Sequence, residues 1–329
     1  MSDTRNHHYV PQGYLRGFAQ YPPAYPKRAK VFVTDLSQGK TFTTQVRNVA
    51  AIRDFNRIEA DDQHPNALEE AYGHLESSAV SAIRRIAKSA TFEGEDRIIV
   101  LNLMALMATR NPKLRKIWSE FEDRVYRGIA RMTVSKPEIW ESIARRSQAA
   151  KPADERREIK VEDYARVKEF VESDEYDINT HQNTHIALEM KTFDTVLETL
   201  AARKWVLQIA ADKAGDYVTS DHPVVLRNTI NMPGPYGRAA GHGMKNTMLL
   251  FPLTRRAALV GLFGGQEGVV DAPGSLVARM NSMVIDNAES QVYAYDDKFM
   301  YAKPGSFHRG SELWADPDAL RTIDDEDDD

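Results

Sequence analysis

His7 and His8 stand side by side near the start of the chain, inside Arg5-Asn6-His7-His8-Tyr9-Val10-Pro11-Gln12-Gly13-Tyr14-Leu15-Arg16-Gly17-Phe18. A neutral imidazole near pH 7 serves as a general base or as a metal ligand. A second pair, His181 and His185, has four-residue spacing, which puts two imidazoles on one helix face as in many zinc sites. The Glu that a metalloprotease needs beside the first of them is replaced by Gln182, and Glu189 lies one turn further on. Asp221, in Thr219-Ser220-Asp221-His222-Pro223, is an acid in a fixed turn. It could hold a metal, orient a histidine or bond its own backbone as an Asx turn. Arg110 ends a very apolar stretch, where a guanidinium either caps buried carboxylates or faces an anionic ligand. Glu69, Glu70 and Glu76 read as a solvated helix face. Gly261 to Gly268 is glycine-rich but lacks the Lys-Ser/Thr of a phosphate loop and reads as a plain loop. With no cysteine in the chain, disulfides, thiolate metal sites and cysteine nucleophiles are excluded.

Nucleases of the His-metal type offer one scheme for the first pair. One His acts as base toward water and its neighbour binds the metal; a hairpin, a base-orienting Asn and a ligand-bearing helix follow. Here Asn48 and His64 fall in that order, with His74 beyond them. The spacing from Asn to the later histidines is longer than in that motif. The plainer reading is that His7 and His8 bond backbone, while Tyr9, Val10, Tyr14, Leu15 and Phe18 dock the N-terminus into the core.

The elements that must position these residues follow from the pattern of apolar side chains. Tyr21 to Pro26 is a rigid, proline-rich connector. Val31–Asp35 and Thr41–Val46, joined by a Gly-containing loop, predict a hairpin. From Asn66 the period becomes helical, with Leu68, Tyr72, Leu75, Ala79, Ile83 and Ile86 on one face to about Ser89. Further helices are predicted from Gly94 to Thr109, from Asn111-Pro112 through Ile129, from Lys136 to Arg146, from Val161 to Glu172 and from Gln182 to Arg203. Residues 147–160 read as an exposed linker. Beyond Arg203 the pattern turns to strands: Trp205–Ala210, Asp216–Ser220 resuming at Val224–Leu226, Thr247–Pro252, Ala257–Phe263 and Gln291–Tyr295, with a helix from Ser275 to Ala288. A long Gly/Pro-rich loop spans Asn228–Gly243. The fold expected is α+β: an N-terminal hairpin (1–60), a helical middle (66–203) and a mostly antiparallel C-terminal sheet with packed helices (204–300), all within one domain, 1–315.

Setting aside the six acidic residues Asp324–Asp329 turns the formal net charge of −5 into +1. The body is therefore near neutral, without the basic field of many nucleic-acid binders. Residues 316–329 read as a disordered acidic tail. The polar N-terminus lacks the apolar core of a secretory signal. The longest apolar run, Ile98–Met107, is short of the ~20 residues that span a bilayer. A cytoplasmic protein with no membrane contact is expected.

The motif residues carry a resemblance. His7, His8, Val10, Pro11, Tyr14, Leu15 and Phe18 form a His-His-x-Val-Pro-x-x-Tyr-Leu-x-x-Phe pattern that resembles the opening of the domain-of-unknown-function family 4238. Arg110 and Pro112, His185, Trp205, the Thr219-Ser220-Asp221-x-Pro223 stretch and Pro252-Leu253 are similar to later positions of that family, over roughly residues 5–300. The resemblance implies no particular activity; it implies that His, His, Arg, His and Asp form one set. The function expected is a metal-dependent hydrolase acting on a phosphodiester, a nuclease of defence or toxin biology being its narrowest form. In it His7, His8 and Arg110 are catalytic, and His8, His185 and Asp221 hold a divalent metal; no organic cofactor is indicated. The alternative is a binding or sensor protein whose His/Arg/Asp cluster grips a small anionic ligand or protein partner. Nucleic acid or a small anion is the partner that these two readings imply.

Overall fold

The computed structural model describes residues 5–20, 28–60, 64–158, 160–230 and 240–315. The proline-rich connector, the middle of the Asn228–Gly243 loop and the acidic tail lie outside them. Two compact units are formed, Met1–Lys113 with Ile186–Asp329, and Leu114–His185.

In the first unit, strand β1 (Asn6–His8) leads into the short helix α1 (Gln12–Leu15) and a 3₁₀ turn, Arg16–Phe18. The expected hairpin is present as β2 (Lys30–Asp35) and β3 (Lys40–Gln45). A three-residue strand β4 (Ala51–Arg53) then pairs antiparallel with β1, His7 opposite Ile52 and His8 opposite Ala51. Helix α2 (Ala67–Ser89) carries Glu69 and Glu70 in its first turn, where carboxylates face the positive end of the helix dipole. Helix α3 (Gly94–Thr109) is apolar nearly all round and buries Val100, Leu101, Leu103, Met104 and Met107, as a helix inside a core should.

The second unit begins within α4 (Pro112–Thr133) and continues through α5 (Pro137–Ala149), α6 (Val161–Ser173) and the start of α7 (Gln182–Ala201). Its small interior includes Val134 and Val171. Arg127 ties it together, bonding Asp123 and Asp174 and lying over the Tyr176 ring.

The rest of the first unit is β-rich: β5 (Lys204–Ala210), β6 (Thr219–Ser220), β7 (Val225–Asn228), β8 (Thr247–Thr254), β9 (Ala257–Leu262), β10 (Gly268–Ala272), helix α8 (Gly274–Asn287), β11 (Gln291–Ala294), and the hairpin β12 (Met300–Lys303) and β13 (Ser306–Arg309). One sheet has the order β10-β5-β9-β8-β7, the other β3-β2-β11-β6. The pairing is antiparallel except for β10 on β5. The architecture is α+β, as the sequence pattern indicates.

Two readings of the strands are corrected. The stretch Gly261–Gly268, read as a loop, is flanked by an edge strand the pattern did not indicate, β10, which begins at Gly268. Residues 216–226 are not one interrupted strand: β6 belongs to the sheet of β2 and β11, and β7 to the sheet of β8 and β9. The turn Asp221-His222-Pro223 carries the chain from one sheet to the other.

Candidate functional site

The opening motif divides into an apolar anchor and two histidines that alternate along β1. Val10, Tyr14, Leu15 and Phe18 are all buried in the core. The Tyr14 ring stacks on Phe251, and its hydroxyl donates to the Pro252 carbonyl at 2.6 Å and bonds the Thr219 hydroxyl at 2.8 Å. Three stretches that carry the family resemblance thus meet on one phenol. Beside it Gly17 packs against the Leu253 carbonyl, and its own carbonyl accepts from Arg255 N–H.

His7 is fully buried, and its Nδ1 accepts from the Asn56 backbone N–H at 2.8 Å. The Asn56 side chain donates in turn to Glu69 at 2.6 Å. His8 points to the opposite side of β1 and lines a groove. Its Nε2 faces the Arg47 carbonyl at 3.3 Å, an acceptor only, so the ring proton sits on Nε2. That leaves Nδ1 as the basic nitrogen, with the Gln12 amide at 3.5 Å. Burial lowers the pKa of His8, aided by Arg110 and His7 and opposed by the Arg47 carbonyl and Glu69. The imidazole is therefore neutral at pH 7. Asn48, the residue expected to orient a base, bonds Thr44 instead, and the neighbouring Arg47 carbonyl orients His8.

The groove encloses about 440 Å³ and lies between α1 and α2. Gln12, Gly13 and Arg16 form one wall; Glu69, Gly73, Glu76, Ser77, Val80, Ser81 and Arg84 form the other. Gly13 is required where the helices touch, since a Cβ there would come within 2.4 Å of Val80. Gly73 is the reverse case: a Cβ there meets nothing within 4 Å.

Glu76 is the residue that sequence reasoning undervalued. Glu69, Tyr72 and Glu76 recur at three- and four-residue spacing, which places them on one helical face. Arg110, 1% exposed, reaches this face from the end of α3. Its Nη2 donates to Glu76 at 3.3 Å, and its guanidinium lies 4.3 Å from the Tyr72 ring centre. Desolvation raises the Glu76 carboxyl to about 7, against the pull of Arg110 and with the help of Glu69. Among the described residues, Nε and Nη1 of Arg110 meet no acceptor. Both sequence readings of Arg110 thus have support: it caps a carboxylate, and it retains unpaired donors.

The Asp221 turn has a different character. The Asp221 carboxylate is 4% exposed and accepts from Glu289 N–H, Ser290 N–H, Gln291 N–H and the Ser290 hydroxyl, at 2.8 to 2.9 Å. Burial pushes this carboxyl up while the four donors hold it down. Next to it, His222 Nδ1 accepts from the Asn287 amide at 3.1 Å, and burial lowers this imidazole to about 4.

His185 belongs to the second unit, where Nε2 lies 3.3 Å from the Ser119 hydroxyl and burial lowers its pKa. His181 Nδ1 accepts from Asn183 N–H and closes its own turn. His64 does the same with Asn66 N–H, and His74 is exposed. Asn111, just before α4, has its amide on the last carbonyls of α3, those of Met107 and Ala108. Among the described residues no group of three or more His, Asp or Glu side chains is arranged to hold a metal ion. Among them, too, no helix is long and apolar enough to cross a membrane.

A family model described as "Protein of unknown function (DUF4238)" matches residues 6–298. No curated protein and no solved structure matches the chain.

Proposed function

The chain belongs to this family, and we propose that it is a hydrolase in which His8 is the general base and Glu76 the general acid. One observation carries the reading: a histidine kept neutral and a carboxylic acid kept protonated to about pH 7 are held in one groove. Pairs of titratable groups whose surroundings push their pKa values past each other mark acid and base roles. In this reaction His8 Nδ1 takes a proton from water and the resulting hydroxide attacks the substrate ester. Glu76 gives its proton to the departing oxygen, which leaves as an alcohol. Arg110 recovers the charge of Glu76 as that proton goes, so the ionised acid is stabilised where it forms. A divalent ion would be held here through His8 Nδ1 and would supply Lewis-acid activation of water.

The metal set of His8, His185 and Asp221 has weaker support, because the Asp221 oxygens already accept four hydrogen bonds. A nuclease, with a place in defence or toxin biology, is the narrowest form of the reading. The near-neutral body argues against it, since strand binding relies on neutralising phosphates.

The test uses the full chain with 4-nitrophenyl acetate, 4-nitrophenyl phosphate and bis(4-nitrophenyl) phosphate, each with Mg²⁺, Mn²⁺, Zn²⁺ or EDTA. Turnover of at least one ester is expected. His8→Ala and Glu76→Gln should each lower it by about 10²–10⁴-fold, the usual worth of a proton-transfer group. Gly73→Leu, placed in the groove lining where a Cβ meets nothing within 4 Å, should lower it too. No turnover under any condition, or turnover that survives both charge-site variants, contradicts the hydrolase and favours an anion-binding protein.

A further inference from the structure

The groove is bipolar. Its acid–base end holds His8, Glu69 and Glu76; its other end holds Arg16 and Arg84. Arg16 comes from the 3₁₀ turn after α1, and Arg84 from the last turns of α2. Both side chains line the groove, and neither is used to hold the fold together. Most arginines of this unit are engaged: Arg85, next in sequence to Arg84, grips Asp96 through Nε and Nη2, Arg97 holds Glu267, and Arg255 and Arg256 share Asp216. Among the described residues neither Arg16 nor Arg84 has a side-chain hydrogen bond or an ion pair, and Arg16 Nε is buried without an acceptor. A buried guanidinium N–H left unmade is costly, more so than an exposed one.

Helix geometry gives the ends a separation. Ser77, Ser81 and Arg84 follow at four and three residues, so they share the face that carries Gly73 and Glu76. Eight residues from Glu76 to Arg84 correspond to about 12 Å along the helix axis. An anion gripped by the two guanidiniums is therefore a different group from the bond that His8 and Glu76 act on. Two guanidinium forks from opposite walls suit a doubly charged tetrahedral oxyanion, which offers acceptors to both, better than they suit a flat carboxylate. The Ser77 and Ser81 hydroxyls lie on the wall between the two ends. A volume of about 440 Å³ matches pockets for small molecules.

We infer that Arg16 and Arg84 form a phosphate subsite, and that the substrate is a small phosphorylated molecule whose phosphate lies there while a separate ester is cleaved at the His8 end. This rests on the groove being the catalytic site.

Calorimetric titration of the full chain with inorganic phosphate, with acetate as control, tests it. Saturable phosphate binding is expected, and acetate should bind at least tenfold more weakly. Arg84→Gln should weaken phosphate by about tenfold, the worth of one charge-assisted contact. Arg84 is exposed, so folding is not at stake; Arg16→Lys, which keeps the charge and loses the fork, should weaken it as well. His8→Ala should keep phosphate binding while losing turnover. The inference is overturned by any of three results: no saturable phosphate binding by the wild type, equal binding of acetate, or an Arg84→Gln protein that binds phosphate like the wild type. Loss of phosphate binding in His8→Ala also overturns it, since the anion would then sit at the acid–base end. Phosphate binding that follows this pattern in a protein without esterase turnover would sink the hydrolase, and the cleaved ester with it, and leave the phosphate subsite standing.

Discussion

The Asp221 turn and the His8 groove are built from the same kinds of residue, yet they hold their charges in opposite ways. Asp221 is enclosed by four donors from one short stretch, residues 289–291, three of them on Oδ2 and one on Oδ1. Its neighbour His222 is held by Asn287 through Nδ1 and through its carbonyl. Every bond there ties the crossing between the two sheets to the end of α8 and the start of β11. In the groove, Glu76 keeps 22% of its side chain exposed, and among the described residues it has one ion-pair partner while the His8 Nδ1 is met only by a long contact from Gln12. A saturated buried acid is a structural clamp; a desolvated acid with spare valence beside a neutral base is equipped for chemistry. Which residues a motif contains does not separate the two cases. How many of their hydrogen bonds are already made does.

The comparison breaks first at Asp221. Asp221→Ala leaves three backbone N–H groups and a hydroxyl without their acceptor inside the core, and should cost on the order of 3–5 kcal/mol in urea unfolding. His8→Ala should shift the same midpoint by less than about 1 kcal/mol, as a partly exposed polar group with long bonds would. Equal losses in the two variants would erase the distinction.

A smaller effect sharpens the groove side. The folded carboxyl of Glu76 is raised to about 7 from its ordinary 4.5. The fold therefore binds this proton more tightly than the unfolded chain does. The resulting stability is fully present below pH 4.5 and is lost as pH rises through 7. Glu76→Gln cannot ionise and should lack that decline, which is worth about 1–3 kcal/mol once partial exposure is allowed for. Half-buried His222 and His242, both lowered to about 4, act the other way: their stability is present above 6.5 and lost as pH falls through 4. They do so in both proteins, so the difference between the two pH curves isolates Glu76. Parallel curves would mean that Glu76 is solvated like an ordinary surface acid.

Much of this fold was legible because its helices are long and strongly periodic. Gly94–Thr109 was readable to the residue, since an apolar helix with a polar start and a terminal Arg admits few alternatives. The N-terminal anchor was readable from Tyr14, Leu15 and Phe18. The short strands were not. β1 and β4 have three residues each and exist through their pairing with one another, which no local pattern records. β10 hides in a glycine-rich stretch because it is an exposed edge, held by β5 alone. The groove escaped for a related reason. A helix face bearing Glu69, Glu76, Ser77 and Arg84 looks solvated in sequence; it becomes a site only when α1 and Arg110 close over it. His7, His8 and Arg110 were identifiable by type, whereas Glu76 becomes distinct only through desolvation.

The central claim is that His8 and Glu76 are held at pH 7 in the neutral and protonated forms that acid–base chemistry needs. Side-chain NMR titration of ¹³C,¹⁵N-labelled protein, assigned with His8→Ala and Glu76→Gln, measures this without any substrate. Titration of Glu76 near 7, with His8 below 6.5 and its proton on Nε2, is the predicted result. Titration of Glu76 near 4.5 together with His8 at or above 6.5 would contradict it.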